Sequence, residues 1–268
     1  MATVLLLKRI SLRKDRVDSW QEYPFCVPAI ASMDEIELTS PVCFFVGENG
    51  SGKSTLLEAI AAHYGFGREG GNRNYQFETS DSSRAIDPLV RALRLGFSLR
   101  TGAGFYLRAE SFFNTASYAD DLARAGSSIL AAFDGKSLHA RSHGESFLAL
   151  LKGRFNRSGL YLMDEPEAAL SPQRQLSMLV MIRDLVRSKK DAQFIISTHS
   201  PILLAYPGAQ ILSFDEGNIH PIEYRDTPPY TIMSSFVQNP EGFLRHLFAD
   251  EDAATGRLEF GGEGEDRG

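Results

Sequence analysis

The sequence predicts an α/β fold around a mainly parallel sheet, and three observations carry that prediction. Short apolar runs alternate with stretches of helical period. Val42-Cys43-Phe44-Phe45-Val46 precedes Leu56, Leu57, Ile60 and Ala61, and residues 160–163 precede an amphipathic stretch over 173–187. That alternation implies parallel strands covered by helices on both faces. A glycine-rich turn, residues 47–55, separates the first strand from its helix. Finally, Asp164-Glu165 and His199 each follow an apolar run directly. They fall at carboxyl ends of strands, where such sheets bind ligands.

Taken in order, residues 3–13 are rich in Val, Leu and Ile and read as a first strand. Residues 20–28 are aromatic and proline-punctuated, as a loop or edge strand is. Residues 33–38 alternate apolar and acidic side chains, the pattern of a half-exposed strand. The glycine turn and its helix follow, ending near Tyr64-Gly65-Phe66-Gly67. Residues 68–83 read as a long surface loop, 88–95 as a helix, 104–110 as a strand ending in charges, and 112–133 as helical with a break at Gly126. Residues 146–155 read as a short helix, and 193–197 as a further strand. Residues 209–214 and 218–224 read as a closing hairpin around Asp215-Glu216-Gly217. There is no internal repeat and no sustained heptad pattern.

The glycine turn, Gly47-Glu48-Asn49-Gly50-Ser51-Gly52-Lys53-Ser54-Thr55, fits G-x-x-x-x-G-K-[ST], a phosphate-binding loop, in the strand–loop–helix setting the motif requires. Glycines let the backbone approach phosphates without a side-chain clash. Loop amides and the positive end of the following helix cradle the anion. Lys53 is expected to reach the β- and γ-phosphates, and Ser54 to bind Mg²⁺. Asp164 is expected to support the same Mg²⁺, and Glu165 to polarise an attacking water.

Composition sets the outer bounds. At 268 residues, 43% hydrophobic and 23% charged, the chain has ample length for a core and the make-up of an ordinary globular protein. No apolar run approaches a membrane span, and the N-terminus lacks the features of a signal peptide. A cytoplasmic setting with Cys26 and Cys43 reduced is the expectation. The net charge is −6, of which seven acids and two arginines from Asp250 onward supply −5. Residues 250–268 therefore read as an acidic, disordered tail, and residues 1–249 as one domain of near-neutral charge.

Several motifs together resemble one family. Asp164-Glu165-Pro166-Glu167 with Ala168-Ala169-Leu170-Ser171 looks like the Walker B motif and D-loop of ATP-binding-cassette (ABC) ATPases. Ser197-Thr198-His199-Ser200-Pro201 resembles their switch loop, and Ser142-His143-Gly144-Glu145-Ser146 their signature motif. The order and spacing suit the family over residues 3–224. More narrowly, the chain is similar to small stand-alone bacterial ATPases related to the chromosome-maintenance and repair branch.

The resemblance implies a RecA-like P-loop core, an N-terminal antiparallel β element and a small helical subdomain over about 112–155. It implies ATP and Mg²⁺ as cofactors, with Lys53, Glu165 and the γ-phosphate sensor His199 as catalytic groups. It further implies a head-to-tail homodimer closed by ATP, in which Ser142, Gly144 and Glu145 of one copy meet the nucleotide of the other. His143 departs from the usual glycine. The same residues also read as a helix cap, Ser142 lying three before Glu145. Glu110 holds roughly the place of the family's glutamine loop near the metal, with Gln76 as the alternative. Tyr23, Phe25 and Trp20 are candidates to stack on adenine; Arg108 is a candidate to line the phosphate pocket, with a surface or ion-paired arginine as the favoured reading.

Three functions are weighed. The first is an ATP-hydrolysing, dimerising switch in DNA maintenance, repair or defence. Glu145 running into Phe147-Leu148-Ala149-Leu150-Leu151 supports it, although only about 88 residues, without heptads, separate the phosphate loop from the signature. The second is the ATP-binding subunit of a membrane transporter; the Gln-Arg that usually follows a transporter signature is missing. The third is a nucleotide-gated interaction module with little turnover, which the intact Glu165 and His199 disfavour. Duplex DNA and a separate protein partner are left open, and Arg84, Arg91, Arg94 and Arg100 read as a solvated basic face.

Overall fold

A computed structural model describes residues 5–67, 71–72, 75–76, 85–99, 101, 103–110, 143–155, 158–188 and 191–255. Two sheets organise them. The smaller is antiparallel, with β1 (Leu7–Leu12) at its centre, β2 (Glu35–Glu37) on one side and β6 (Leu93–Phe97) on the other. The larger has eight strands. Its middle five run parallel in the order β10 (Gln210–Ser213), β3 (Val42–Val46), β9 (Ala192–Ser197), β8 (Gly159–Asp164) and β7 (Gly104–Arg108). β11 (His220–Pro221) closes one edge antiparallel to β10, and the short β4 (Gly71–Asn72) and β5 (Tyr75–Gln76) lie beyond β7 at the other.

The parallel strands are apolar on both faces because both are covered. Cys43 and Phe45 of β3 face a core shared with the small sheet, α1 (Pro28–Ser32), α2 (Lys53–Tyr64) and α3 (Asp87–Ala92). Val42, Phe44 and Val46 face a second core against α4 (His143–Arg154), α5 (Pro172–Arg187) and the short α6 (Pro201–Leu204). That period-2 partition is what a strand between two helical layers requires. Gln193 of β9 is fully buried. Its amide accepts from Leu7 N and donates to Leu7 O, both at 2.8 Å, and so joins the two sheets.

The predicted fold class and the N-terminal antiparallel element are present. Some elements differ. The helix expected over 88–95 stops at Ala92, and Leu93, Arg94 and Leu95 belong to β6, because β1 supplies a strand partner for that alternation. Arg94 therefore lies on a strand, Arg91 on α3, and Arg84 and Arg100 lie outside the described residues. The loop expected over 68–83 contains β4 and β5, with Gln76 on the edge strand. After Tyr224 come α7 (Pro228–Gln238) and α8 (Pro240–Thr255). The expected tail thus begins inside a helix at residues 250–255, while 256–268 lie outside the described residues. Of the expected helical subdomain over about 112–155, residues 112–142 also lie outside the described residues, while 143–154 form α4. No helix of the described residues is long and apolar enough to cross a membrane.

Candidate active site

Loop 47–55 joins β3 to α2. Gly47 has φ +150°, and a Cβ there would sit 3.0 Å from both Asp215 Oδ1 and Ser51 Oγ. Asp215, just after β10, accepts from Glu48 N at 2.8 Å and pins the loop from outside. Lys53 begins α2 and folds back, donating through Nζ to the carbonyls of Gly47 (2.6 Å) and Glu48 (2.7 Å). Burial lowers its pKa against the opposing pull of Glu165, Asp164, Asp215 and Glu167. Resting on loop carbonyls, this cation is stationed where an anion would enter.

Ser54 Oγ donates to Asp164 Oδ1 at 2.9 Å. Asp164 Oδ2 lies 3.7 Å from Arg108 Nε. Burial raises the Asp164 pKa, opposed by the Ser54 bond and by Arg108. Among the described residues no group of three or more His, Cys, Asp or Glu is placed to hold a metal by itself. A cation here would need oxygens from outside the protein. The hydroxyl–carboxylate pair suits a hard ion that keeps water and phosphate ligands, as Mg²⁺ does.

Glu165 adopts a left-handed backbone, φ 49° and ψ 52°, at the exit of β8. That conformation is uncommon for a residue with a side chain and clusters at functional sites. Its Oε1 lies 3.7 Å from His199 Nε2, which has no hydrogen-bond partner among the described residues. Burial, then the nearby Lys53, holds His199 below the ordinary imidazole range, against Glu165 and Asp215. The ring is therefore neutral at neutral pH. Turnover is expected to fall on acidification, as the ring gains its proton at a pH below the ordinary histidine value of ~6.5. A kcat–pH profile should lose that limb in His199→Gln; a limb unchanged in the variant would assign the titration to the carboxylates.

Lys53, Ser54, Asp164 and Glu165 border a cavity of about 640 Å³, with Tyr23, Asn49 and Glu110 also in its lining; His199 and Asp215 line a neighbouring hollow beside Gly47 and Glu48. Gly50, Gly52 and Thr55 complete the loop side. Of the aromatic candidates, Tyr23 lines the cavity, its hydroxyl 3.1 Å from Thr55 Oγ1. Phe25 is in the core, and Trp20 packs edge-on against it, ring centroids 6.0 Å apart. Glu110 reaches the rim, but its side chain is 85% exposed and pairs with Arg108 at 3.2 Å. Arg108 is both ion-paired and cavity-lining: Glu58 holds it at 3.5 Å, and the β7–β8 register sets it level with Asp164.

Ser142 lies outside the described residues, and His143 opens α4. Gly144 is buried against the Arg174 guanidinium, and a Cβ there would be 3.2 Å from Ala169 O. Glu145 Oε1 lies 3.3 Å from Arg174 Nη2. Neither Gly144 nor Glu145 lines the cavity of its own chain.

Comparison with known proteins adds the family. Residues 144–204 match a model described as an AAA ATPase domain, and residues 32–130 one described as an AAA domain. The fold is similar to an ATP-binding cassette of an ABC transporter in its ADP conformation, MJ1267, at TM-score 0.50 and 15% identity, covering 81% of this chain and 90% of that one. It is also similar to cbiO1 of Clostridium perfringens, part of the transporter complex cbiONQ, at TM-score 0.50 and 16% identity, covering 92% and 99%. The hemin import ATP-binding protein HmuV of Streptomyces coelicolor is 31% identical over 194 residues, 67% of each chain. The chain belongs to the ABC superfamily of ATPases.

In this ATPase the loop 47–55, Asp164, Glu165 and His199, far apart in sequence, meet at the carboxyl ends of β3, β8 and β9. Sequence reading gave no site role to Glu58, Glu167 or Asp215. Asp215 reads as part of a hairpin turn, and Glu58 is not singled out. Only the fold brings Asp215 to the loop, Glu58 to Arg108 and Glu167 to the His199 amide.

Proposed function

We propose that this ATPase is an ATP-dependent dimerising switch. ATP lies in the 640 Å³ cavity, its phosphates on loop 47–55 and its base toward Tyr23. Lys53 leaves the carbonyls of Gly47 and Glu48 for the β- and γ-phosphates. Ser54, Asp164 and Glu110 would hold Mg²⁺. When bound, the ion neutralises charge on the phosphates. Glu165 orients the attacking water and takes its proton; His199 touches the γ-phosphate through Nε2.

One observation carries the dimer: Gly144 and Glu145 stand at a helix start yet outside their own chain's cavity. With Ser142 they would close on the nucleotide of a second copy, which would complete the site. Residues 1–249 act as one ATPase unit with residues 112–155 as the helical insert. ATP as the substrate supports a cytoplasmic setting.

The hemin-import relative favours a second reading, the ATP-binding subunit of an importer. Glu145 followed by Phe147-Leu148-Ala149 favours the maintenance, repair or defence switch, with duplex DNA as its effector.

The test is the solution mass of Glu165→Gln, with and without Mg²⁺-ATP. ATP should be retained and the mass should double. A monomer that demonstrably binds ATP would sink the switch. DNA retained by the dimer alone favours the first reading, and a membrane protein co-purifying with the chain favours the second.

A further inference from the structure

We propose that Glu167 is a positioning residue for ATP hydrolysis: its carboxylate ties the backbone of His199 to the turn that carries Glu165, so that the two groups share one placement. The inference rests on the roles given above to Glu165 and His199.

The backbone amides after β9 make the point. The sheet ends at Ser197, and the following N–H groups need other acceptors. Thr198 N donates to Phe45 O at 3.1 Å, still within reach of β3. Ser200 N turns back to Thr198 Oγ1 at 3.0 Å. Between them, His199 N donates to Glu167 Oε1 at 2.6 Å. The switch histidine is thus the one residue of this loop whose amide is held by a side chain from the neighbouring strand's exit.

That exit is itself strained. Glu165 sits in the left-handed region, and its N–H donates to Ser197 O at 3.0 Å. Residues 166–169 form a single 3-10 turn, closed by Ala168 N on Glu165 O (3.1 Å) and Leu170 N on Glu167 O (3.0 Å). Strain of this kind, of order 1–3 kcal/mol, persists only where the surroundings over-determine it. A second strap lies at the far end of the same turn. Ser200 Oγ donates to Gln175 Oε1 at 2.5 Å, and Gln175 Nε2 donates to Leu170 O at 3.1 Å. The switch loop is therefore bound to the turn at both ends, and Glu167 is the strap nearest the reacting side. The turn also abuts Gly144 through Ala169 O. Movement of the α4 start would thereby reach Glu165 and His199 as a pair.

Reach and charge make opposite demands, so three substitutions separate them. Glu167→Gln keeps an acceptor oxygen at the same distance. Glu167→Asp keeps the charge but falls one methylene short, and Glu167→Ala removes both. Displacement of a catalytic group by about 1 Å costs on the order of 100-fold. We expect kcat in Gln within about three-fold of wild type, and kcat in Asp and Ala down about 10- to 100-fold, on that principle. KM for ATP should stay within about three-fold, because the strap does not touch the nucleotide. In a double-mutant cycle, Glu167→Ala and His199→Ala should be less than additive.

An active Asp variant beside an inactive Gln variant would overturn the proposal, since charge and not reach would then matter. So would an Ala variant of wild-type kcat, or one that raises KM alone. If Ala does not fold, the Asp–Gln contrast decides. A His199→Ala enzyme of full activity would instead refute the role given to His199, and that result is read independently of Glu167.

Discussion

Lys53→Met is expected to cost this ATPase nearly all its affinity for ATP. The ammonium is buried, rests on the carbonyls of Gly47 and Glu48, and is ringed by four carboxylates. It is the cation that offsets them on the loop side. Without it, an incoming triphosphate enters the field of Asp164, Glu165, Asp215 and Glu167 with one cation fewer, Arg108 being paired with Glu58 and Glu110. Truncating one partner of a buried charge pair costs roughly 2–5 kcal/mol, or about 30- to several-thousand-fold in Kd. Methionine fills similar space, so the fold should survive, as circular dichroism can verify. Calorimetry with Mg²⁺-ATP is the measurement, and a Kd within about three-fold of wild type would remove Lys53 from the phosphate site.

The second large effect lies in the sheet. Gly104→Ala is expected to unfold the protein or leave it insoluble. Gly104 has φ +131°, and a Cβ there would run into the Leu160 carbonyl oxygen, with Leu160 C at 2.7 Å and N at 2.8 Å. These are backbone atoms of the neighbouring parallel strand, in register with Gly104. No rotamer change relieves the contact; β7 and β8 would have to separate. Backbone strain of about 1–3 kcal/mol and overpacking of about 1–3 kcal/mol add to a large part of a typical domain's 5–15 kcal/mol. Gly208→Ala is the control. It has φ +76° but nothing within 4 Å of the added Cβ, so it isolates the backbone cost. Thermal melts should show a modest loss for Gly208→Ala and no cooperative native transition for Gly104→Ala. Equal melting points would mean that the strands yield.

The sequence makes much of this molecule legible where local chemistry and period agree. Val42–Val46, the glycine loop and α2 are predicted within a residue or two, because an all-apolar strand, a glycine loop and a helical stripe coincide there. Asp164, Glu165 and His199 are legible as polar residues ending apolar runs. Leu93 to Leu95 is not: Leu89 and Leu93 also fit a helical period, and only pairing with β1 decides for a strand. Reading stops at Tyr224 although a signal continues. Pro228-Pro229 precedes Ile232, Met233, Phe236 and Val237 at helical spacing, yet all four are exposed, so no core announces the helix. Glu167, which escapes a reading of the sequence, and Arg108, which reads as a surface or ion-paired arginine before a pocket residue, show why site residues are hard to read. Each is one charged residue among many, and its meaning lies in a partner on another strand, His199 N or Asp164.

The Gln193 amide that joins the two sheets has a mechanical consequence. With both its polar atoms engaged by Leu7, it behaves as a peptide unit lent by one sheet to the edge of the other. Pivoting the small sheet would break both bonds and leave their buried donors and acceptors without these partners, at about 1–3 kcal/mol for each left unsatisfied. The two-sheet body therefore resists hinging as it loads and discharges. A stroke of the ATP cycle that pivoted the small sheet on the large one would have to break both bonds.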